Sequence, residues 1–134
     1  MTNYVLPVRV YLEDTDAQGV VYNASYFRFM ERARTEYLRA QGIDHDQLRE
    51  EHGVVLVLAS IAARFRAPAR LSDMLYVSAD VAEARGARMR FTQNVRRDEP
   101  GGDLLCEGSA EVACMDARGR PRRLPKILTS ELTQ

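Results

Sequence analysis

The amino-acid sequence predicts an α+β protein in which an antiparallel sheet of five to six strands wraps around one long helix. Residues 24–41 carry a single apolar stripe at helical spacing, which predicts the helix. After residue 53 the chain is rich in segments with the apolar and polar alternation of strands. The breaks between these strands are short, and short connections indicate antiparallel pairing. Because 134 residues fit one domain, we expect residues 1–134 to form a single unit.

The predicted elements follow one another with short connections. The first strand, over 5–12, is indicated by Val8 and Val10, which alternate with Arg9 and Tyr11. The remaining elements are a loop over 13–22, the long helix over 24–41, a short helix over 45–52, and strands over 54–66, 74–84, 87–97, 103–115 and, as the sixth, 121–127.

The long helix has the clearest pattern. Asn23 or Ser25 is expected to serve as its N-cap, and Gly42 to end it. On its exposed side, Arg32 is expected to pair with Glu36 one turn later. The apolar stripe repeats at intervals of four, three and four residues, at Tyr26, Met30, Ala33 and Tyr37.

Composition excludes several classes of function. Nineteen basic and nineteen acidic residues cancel, so we expect no binding to nucleic acid. Cys106 and Cys114 lie too far apart on one predicted strand to be bridged, and we interpret them as reduced thiols of a cytoplasmic protein. The N-terminal residues do not resemble a signal peptide, and the longest apolar run, 54–61, is too short to span a membrane. No cluster has metal-ligand spacing, so no metal is expected.

The chemistry is concentrated where the first strand meets the long helix. Asp14 and Asp16 follow the strand, and Gly19 allows a close approach of the backbone. This spacing places a carboxylate in a tight turn that faces the start of a helix, where unpaired N–H groups stabilise a developing negative charge. Such a site can hydrolyse an activated acyl group. Asp16 alone would also suit a turn, and we expect Asp14 to bond loop N–H groups in a structural role.

The residues of this region resemble a known family. The segment Glu13-Asp-Thr-Asp-Ala-Gln-Gly-Val-Val-Tyr-Asn-Ala-Ser-Tyr26, followed by Glu31-Arg-Ala-Arg-Thr-Glu36, resembles the hotdog-fold acyl-CoA thioesterases. It is most similar to the 4-hydroxybenzoyl-CoA thioesterase family, in the branch associated with the bacterial Tol-Pal system. The resemblance implies an enzyme that hydrolyses an acyl-CoA to a free acid and CoA without a cofactor. It also implies a homodimer, paired into a homotetramer, with active sites at the dimer interface.

The resemblance assigns the catalytic roles. It places the reacting carboxylate at Asp16, as nucleophile or as general base on water. The backbone N–H of Asn23 is the implied donor to the oxyanion, and Gly19 shapes the loop against the substrate. Members of this branch commonly carry histidine at the position of Asn23. Asparagine cannot shuttle a proton at neutral pH, but a backbone donor survives the change.

Three further residues are candidates for substrate binding. Tyr22 would line the acyl pocket, or else be a buried aromatic residue of the helix. The resemblance implies that Arg85 contacts the nucleotide end of CoA, and Arg88 would extend the same basic patch. For both arginines a solvated sheet face is an equal alternative.

Two alternative functions follow from the same residues. A non-catalytic acyl-CoA-binding module would keep the fold without turnover. A hotdog hydratase or dehydratase would need a histidine near the motif, whereas His45 and His52 belong to the short second helix, where we expect them at the surface. Glu31 is a second candidate acid, or a partner of Arg28 or Arg34.

Overall fold

The computed structural model describes residues 4–129. A short 3₁₀ turn (Leu12–Asp14) follows the first strand. The other elements, in chain order, are β1 (Tyr4–Arg9), α1 (Asn23–Ala40), α2 (His45–His52), β2 (Val55–Phe65), β3 (Met74–Arg85), β4 (Arg88–Arg97), β5 (Leu104–Met115) and α3 (Lys126–Thr129).

The five strands form one antiparallel sheet in the order β1-β3-β4-β5-β2. Short turns join β3 to β4 and β4 to β5. The helices α1 and α2 lie in the long connection between β1 and β2, which are the two outer strands. The α+β class and the five-stranded sheet are therefore confirmed. Two edges remain, β1 and the longer β2.

The core lies between α1 and one face of the sheet. The predicted stripe of α1 is buried at all four positions, and it packs against alternate residues of β3 and β4 such as Leu75, Val77 and Phe91. Met30 approaches β5 so closely that a Cβ on Gly108 would lie 2.8 Å from its Cε atom. Glycine at that position lets the helix settle onto the sheet.

Two boundary predictions are wrong for local reasons. The first strand ends at Arg9 instead of residue 12, because Asp14 accepts a hydrogen bond from the N–H of Tyr11 and the chain turns there. No regular strand covers 121–127. Pro121 forms one isolated bridge with Met115, and α3 begins at 126. Two prolines in this segment remove the N–H groups that a strand needs.

Two details of α1 also differ from expectation. Tyr22 occupies the N-cap position with extended backbone angles and no side-chain cap, so neither Asn23 nor Ser25 is the cap. Glu36 pairs with Arg39, three residues later at 3.6 Å, instead of with Arg32. Gly42 takes a positive φ of 83° just beyond the helix, as a C-terminal glycine does.

The two cysteines are buried free thiols on β5. Burial, followed by the nearby Glu107 carboxylate, raises the pKa of Cys106 to about 11. Within residues 4–129, no helix combines the length and the apolar character needed to cross a bilayer.

Candidate active site

The start of α1 presents backbone donors. The N–H of Tyr22 donates to the carbonyl oxygen of Asp14 at 2.9 Å, and that of Ser25 donates to the carbonyl oxygen of Tyr22 at 2.8 Å. Between them, the N–H groups of Asn23 and Ala24 have no acceptor within the described chain, residues 4–129. These donors lie at the positive end of an 18-residue helix, so together they favour a negatively charged oxygen.

Asp16 lies in the tight turn that precedes this helix. Its N–H donates to the carbonyl oxygen of Val20 at 2.9 Å, and its own carbonyl oxygen accepts the N–H of Gly19 at 3.0 Å. Gly19 has a φ of 80°, which side chains rarely tolerate, so glycine is what allows the turn. The carboxylate is exposed, with Oδ1 accepting from the N–H of Gln18 at 2.8 Å. Oδ2 has no hydrogen-bond partner among residues 4–129.

The turn is tied to its surroundings on both sides. Thr15 and Val21 form an antiparallel bridge across it, and Val20 bridges Arg70. The N–H of Val21 donates to the carbonyl oxygen of Ala69 at 2.8 Å. These bonds hold the Asp16 turn and the first residues of α1 as one hairpin against the 67–70 segment.

Asp14 bonds a backbone N–H group before this hairpin, as expected from the sequence. It is 4% exposed, and its Oδ2 accepts from the N–H of Tyr11 at 2.8 Å. Its Oδ1 accepts from Nη2 of Arg28 at 3.3 Å, and its backbone oxygen accepts from Oγ of Ser25. All of its polar atoms are thus engaged within the protein, which makes Asp14 structural and leaves Asp16 as the accessible acid.

A groove of about 210 Å³ opens beside the start of α1. Residues of two segments line it, among them Val20 and Asn23 from the first and Phe65, Arg66 and Pro68 from the second. Tyr26 also lines it, and its hydroxyl accepts from the N–H of Ala69 at 3.1 Å. Because burial is the main influence on it, the pKa of Tyr26 is raised, so the hydroxyl stays neutral. The groove is therefore largely apolar and is bordered by Asn23, the residue whose N–H has no acceptor in the described chain.

The structure places the other candidates differently. Tyr22 is 58% exposed, so it is not a buried aromatic residue, and it stands at the helix start beside the groove-lining Asn23. Arg85 and Arg88 flank the tip of the β3–β4 hairpin, and Arg88 pairs with Glu111. The Asp16 turn lies near Met74, where β3 begins, because Val20 of the turn bridges Arg70. Arg85 at the tip follows Met74 by eleven residues, roughly 36 Å along an extended strand. One chain therefore does not bring these arginines to the Asp16 turn.

Both histidines lie away from the motif. His45 and His52 are the first and last residues of α2, and the groove at Asn23 is lined by other residue types. Their exposure agrees with the surface position expected. The burial of Arg34 on α1 was not predicted from the sequence, although Arg34 follows the buried Met30 by four residues and so lies on the apolar side of the helix.

Comparison with known proteins decides the family. The model of the Thioesterase-like superfamily matches residues 10–132 of this chain. The chain belongs to this superfamily. The match includes the Asp16 turn, α1 and every strand of the sheet except β1, so the candidate site lies within the part that the family shares.

Named relatives support the same assignment. The chain is 44% identical over 129 residues to the acyl-CoA thioester hydrolase YbgC of Escherichia coli O157:H7, covering 96% of this chain and 94% of that protein. It is 32% identical to a probable thioesterase from Bartonella henselae, with a TM-score of 0.85 over 92% of this chain and 100% of that one. A 4-hydroxybenzoyl-CoA thioesterase mutant solved with 4-hydroxybenzoyl-CoA is 24% identical, with a TM-score of 0.83 over 92% and 93% of the two chains, which shows the shared hotdog fold.

Proposed function

We propose that this protein is an acyl-CoA thioesterase that hydrolyses its substrate to a free acid and CoA. One observation carries the proposal. Within residues 4–129, the N–H groups of Asn23 and Ala24 have no acceptor, and they share one hairpin with the exposed carboxylate of Asp16, of which only Oδ1 accepts a hydrogen bond. The YbgC relative, an acyl-CoA thioester hydrolase, agrees with it. We expect no cofactor, because a thioester is already activated for acyl transfer.

The residues have distinct roles in this reaction. A carbonyl oxygen placed at the start of α1 accepts from the N–H of Asn23, which stabilises the negative charge as the carbonyl carbon becomes tetrahedral. Asp16 either attacks that carbon, giving an acyl-aspartyl anhydride that water then hydrolyses, or takes a proton from the attacking water. In both routes the carbon–sulfur bond breaks and the electron pair leaves with the CoA thiolate, which is then protonated.

Thiol release from a panel of acyl-CoAs tests the proposal. The panel runs from short to long aliphatic chains and includes benzoyl types, since the sequence does not specify the acyl group. We expect Asp16→Asn to lower kcat by about 10²- to 10⁴-fold while CoA binding persists. Glu13→Gln, at an exposed acid of the same loop, is the matched control and should retain activity. Turnover by Asp16→Asn at the wild-type rate would remove Asp16 from the mechanism.

The two routes differ in whether the protein becomes acylated. Rapid quenching followed by mass spectrometry of the peptide that contains Asp16 detects an acyl adduct in the nucleophilic route. Wild-type protein that turns over without any adduct supports the general-base route. Absence of turnover on every thioester, with CoA still bound, would favour the non-catalytic binding module.

We also infer a homodimer, two of which pair into a homotetramer. Supporting this, β2 is an 11-residue edge strand with exposed apolar side chains at Val57, Leu58 and Phe65. A long apolar edge with unpaired backbone groups favours pairing with another strand, and a second copy of β2 supplies one. Such a dimer would also offer a route for Arg85 and Arg88 to reach a CoA bound at the partner's site. Light scattering of wild type and Leu58→Lys measures the mass, and an unchanged dimer in the variant would exclude this edge.

We also propose a branch of the family and a cellular location for this protein. The segments 13–26 and 31–36 support the Tol-Pal-associated branch, and reduced, buried cysteines suit a cytoplasmic location. Cell fractionation of the expressed protein, with a cytoplasmic and a periplasmic marker enzyme, tests the location. Recovery with the periplasmic marker would contradict it.

A further inference from the structure

Arg34 occupies a position on α1 that normally holds an apolar side chain. It follows Met30 by four residues and precedes Leu38 by four, and both of these are buried. Arg34 is itself only 7% exposed. Burial lowers the pKa of its guanidinium, which the nearby Glu31 carboxylate partly opposes. A buried charge of this kind is unfavourable unless a partner compensates it.

The protein supplies a neutral partner. Nη1 of Arg34 donates to Oε1 of Gln93 at 2.8 Å. Gln93 is fixed in turn, because its Nε2 donates to the carbonyl oxygens of Met30 at 2.9 Å and Ser78 at 3.2 Å. Within residues 4–129, no carboxylate oxygen lies within 4.0 Å of the guanidinium. The side chain is therefore held in place without a counter-ion from the described chain.

Arg34 lines a cavity of about 320 Å³ between α1, α2 and the β2 side of the sheet. About half of the wall is apolar, and Leu38, Leu56 and Phe91 contribute to it. The polar part comes from Glu31, Thr35 and His45 together with Arg34. A concave, mostly apolar space with a few fixed polar groups is typical of small-molecule sites.

We propose that this cavity binds the carboxylate of a small aliphatic acid, held by the guanidinium of Arg34. Two parallel N–H donors of arginine match the two oxygens of a carboxylate, and the apolar wall receives the hydrocarbon stem. The cavity is distinct from the Asn23 groove, because Arg34 follows Asn23 by eleven residues of helix, roughly 16 Å along its axis.

Two sources supply this chemistry. One is a free carboxylic acid, which is the product class of the proposed reaction. The other is the far end of an acyl group that carries a second carboxylate, and this source rests on the proposed function. Both sources place a carboxylate against Arg34, and the kinetics of paired acyl-CoA substrates distinguish them.

Calorimetric titration with free acids tests the site directly. We expect wild-type protein to bind hexanoate at least about tenfold more tightly than hexanamide, because only the acid offers a charged acceptor. Arg34→Met should abolish this preference. Arg39→Met, at an exposed arginine of the same helix, should keep it. Equal binding of acid and amide, or no binding of hexanoate to wild type, would overturn the proposal.

A second variant covers the case in which Arg34→Met does not fold. Leu56→Trp fills the cavity and leaves the bond between Arg34 and Gln93 intact. Loss of hexanoate binding in this variant supports the cavity as the site, and unchanged binding overturns it. Because these titrations use free acids, they remain informative even if no thioester is hydrolysed.

The source of the carboxylate follows from paired substrates. Dodecanedioyl-CoA and dodecanoyl-CoA have the same chain length, which suits the separation of Asn23 and Arg34, and differ by the second carboxylate. A loss of kcat/KM in Arg34→Met confined to dodecanedioyl-CoA assigns the site to the substrate. An unchanged ratio of the two substrates, together with lost hexanoate binding, assigns it to a free acid.

Discussion

Asp14 and Asp16 lie two residues apart, and their roles can be separated by experiment. Replacing Asp14 with alanine removes a buried carboxylate that bonds the N–H of Tyr11 and the guanidinium of Arg28. Replacing Asp16 with asparagine alters an exposed side chain whose one bond, to the N–H of Gln18, the amide oxygen can still accept. The first change should affect folding, and the second should affect turnover.

The magnitude follows from the two bonds of Asp14. Loss of a buried bond to a charged acceptor costs about 2 kcal/mol. The pair with Arg28, whose side chain is 55% exposed, adds about 0.5–1 kcal/mol after solvent screening. For 134 residues the unfolding entropy is roughly 0.28 kcal/mol/K, so a loss of about 3 kcal/mol lowers Tm by about 10 °C.

Thermal unfolding at one fixed protein concentration measures both variants. Asp14→Ala should melt about 10 °C below wild type, and Asp14→Asn should fall between them because it keeps an acceptor for Tyr11. Asp16→Asn should melt within about 2 °C of wild type, as surface changes do. The separation of roles would be refuted if Asp14→Ala melted with wild type, or if Asp16→Asn were destabilised as much as Asp14→Ala.

Three further outcomes are expected. A Cβ on Gly102 would lie 1.9 Å from a carbonyl oxygen of β4, so Gly102→Ala should destabilise by roughly 2 kcal/mol in urea unfolding, whereas Gly101→Ala, which has open space, should not. Burial raises the pKa of Cys106 to about 11, so at pH 8 Ellman's reagent should react with it only after denaturation; rapid labelling of native protein would contradict this. A hydrogen bond from the N–H of Arg120, the largest influence, helps lower the pKa of Asp116 from 3.8 to about 2. Asp116 therefore contributes stability above pH 4 that is lost as the pH falls toward 2, and Asp116→Asn should reduce the acid dependence of the urea midpoint over that range.

Sequence periodicity predicts the elements that bury one face. The helix expected over 24–41 is observed at Asn23–Ala40, and the short helix at 45–52 is capped as expected by Asp44, whose Oδ1 accepts the N–H of Gln47 at 2.7 Å. The four strands after it are each displaced by at most one residue at either end. In these segments local pattern and tertiary burial agree, so the pattern suffices.

The failures arise where a long-range contact determines the outcome. Arginine is rarely buried without a partner, and Gln93, 59 residues away, supplies the acceptor that allows Arg34 to be buried. The N-cap prediction failed because Ser25 bonds the backbone oxygen of Asp14 across the loop instead of capping its own helix. The motif indicated the Asp16 turn directly, since its bonds are local. The distances that separate Arg85 and Arg88 from this turn depend on the strand order, which one sequence does not express.

The donors at the start of α1 belong to the backbone, and every residue type except proline carries that group. A codon change at position 23 therefore leaves the charge-stabilising end of the helix in place while it replaces a side chain that borders the groove. Selection can therefore change the side chain that borders the groove while the backbone N–H donor at the same residue is kept. Single substitutions at position 23 thus offer a route to a different substrate preference.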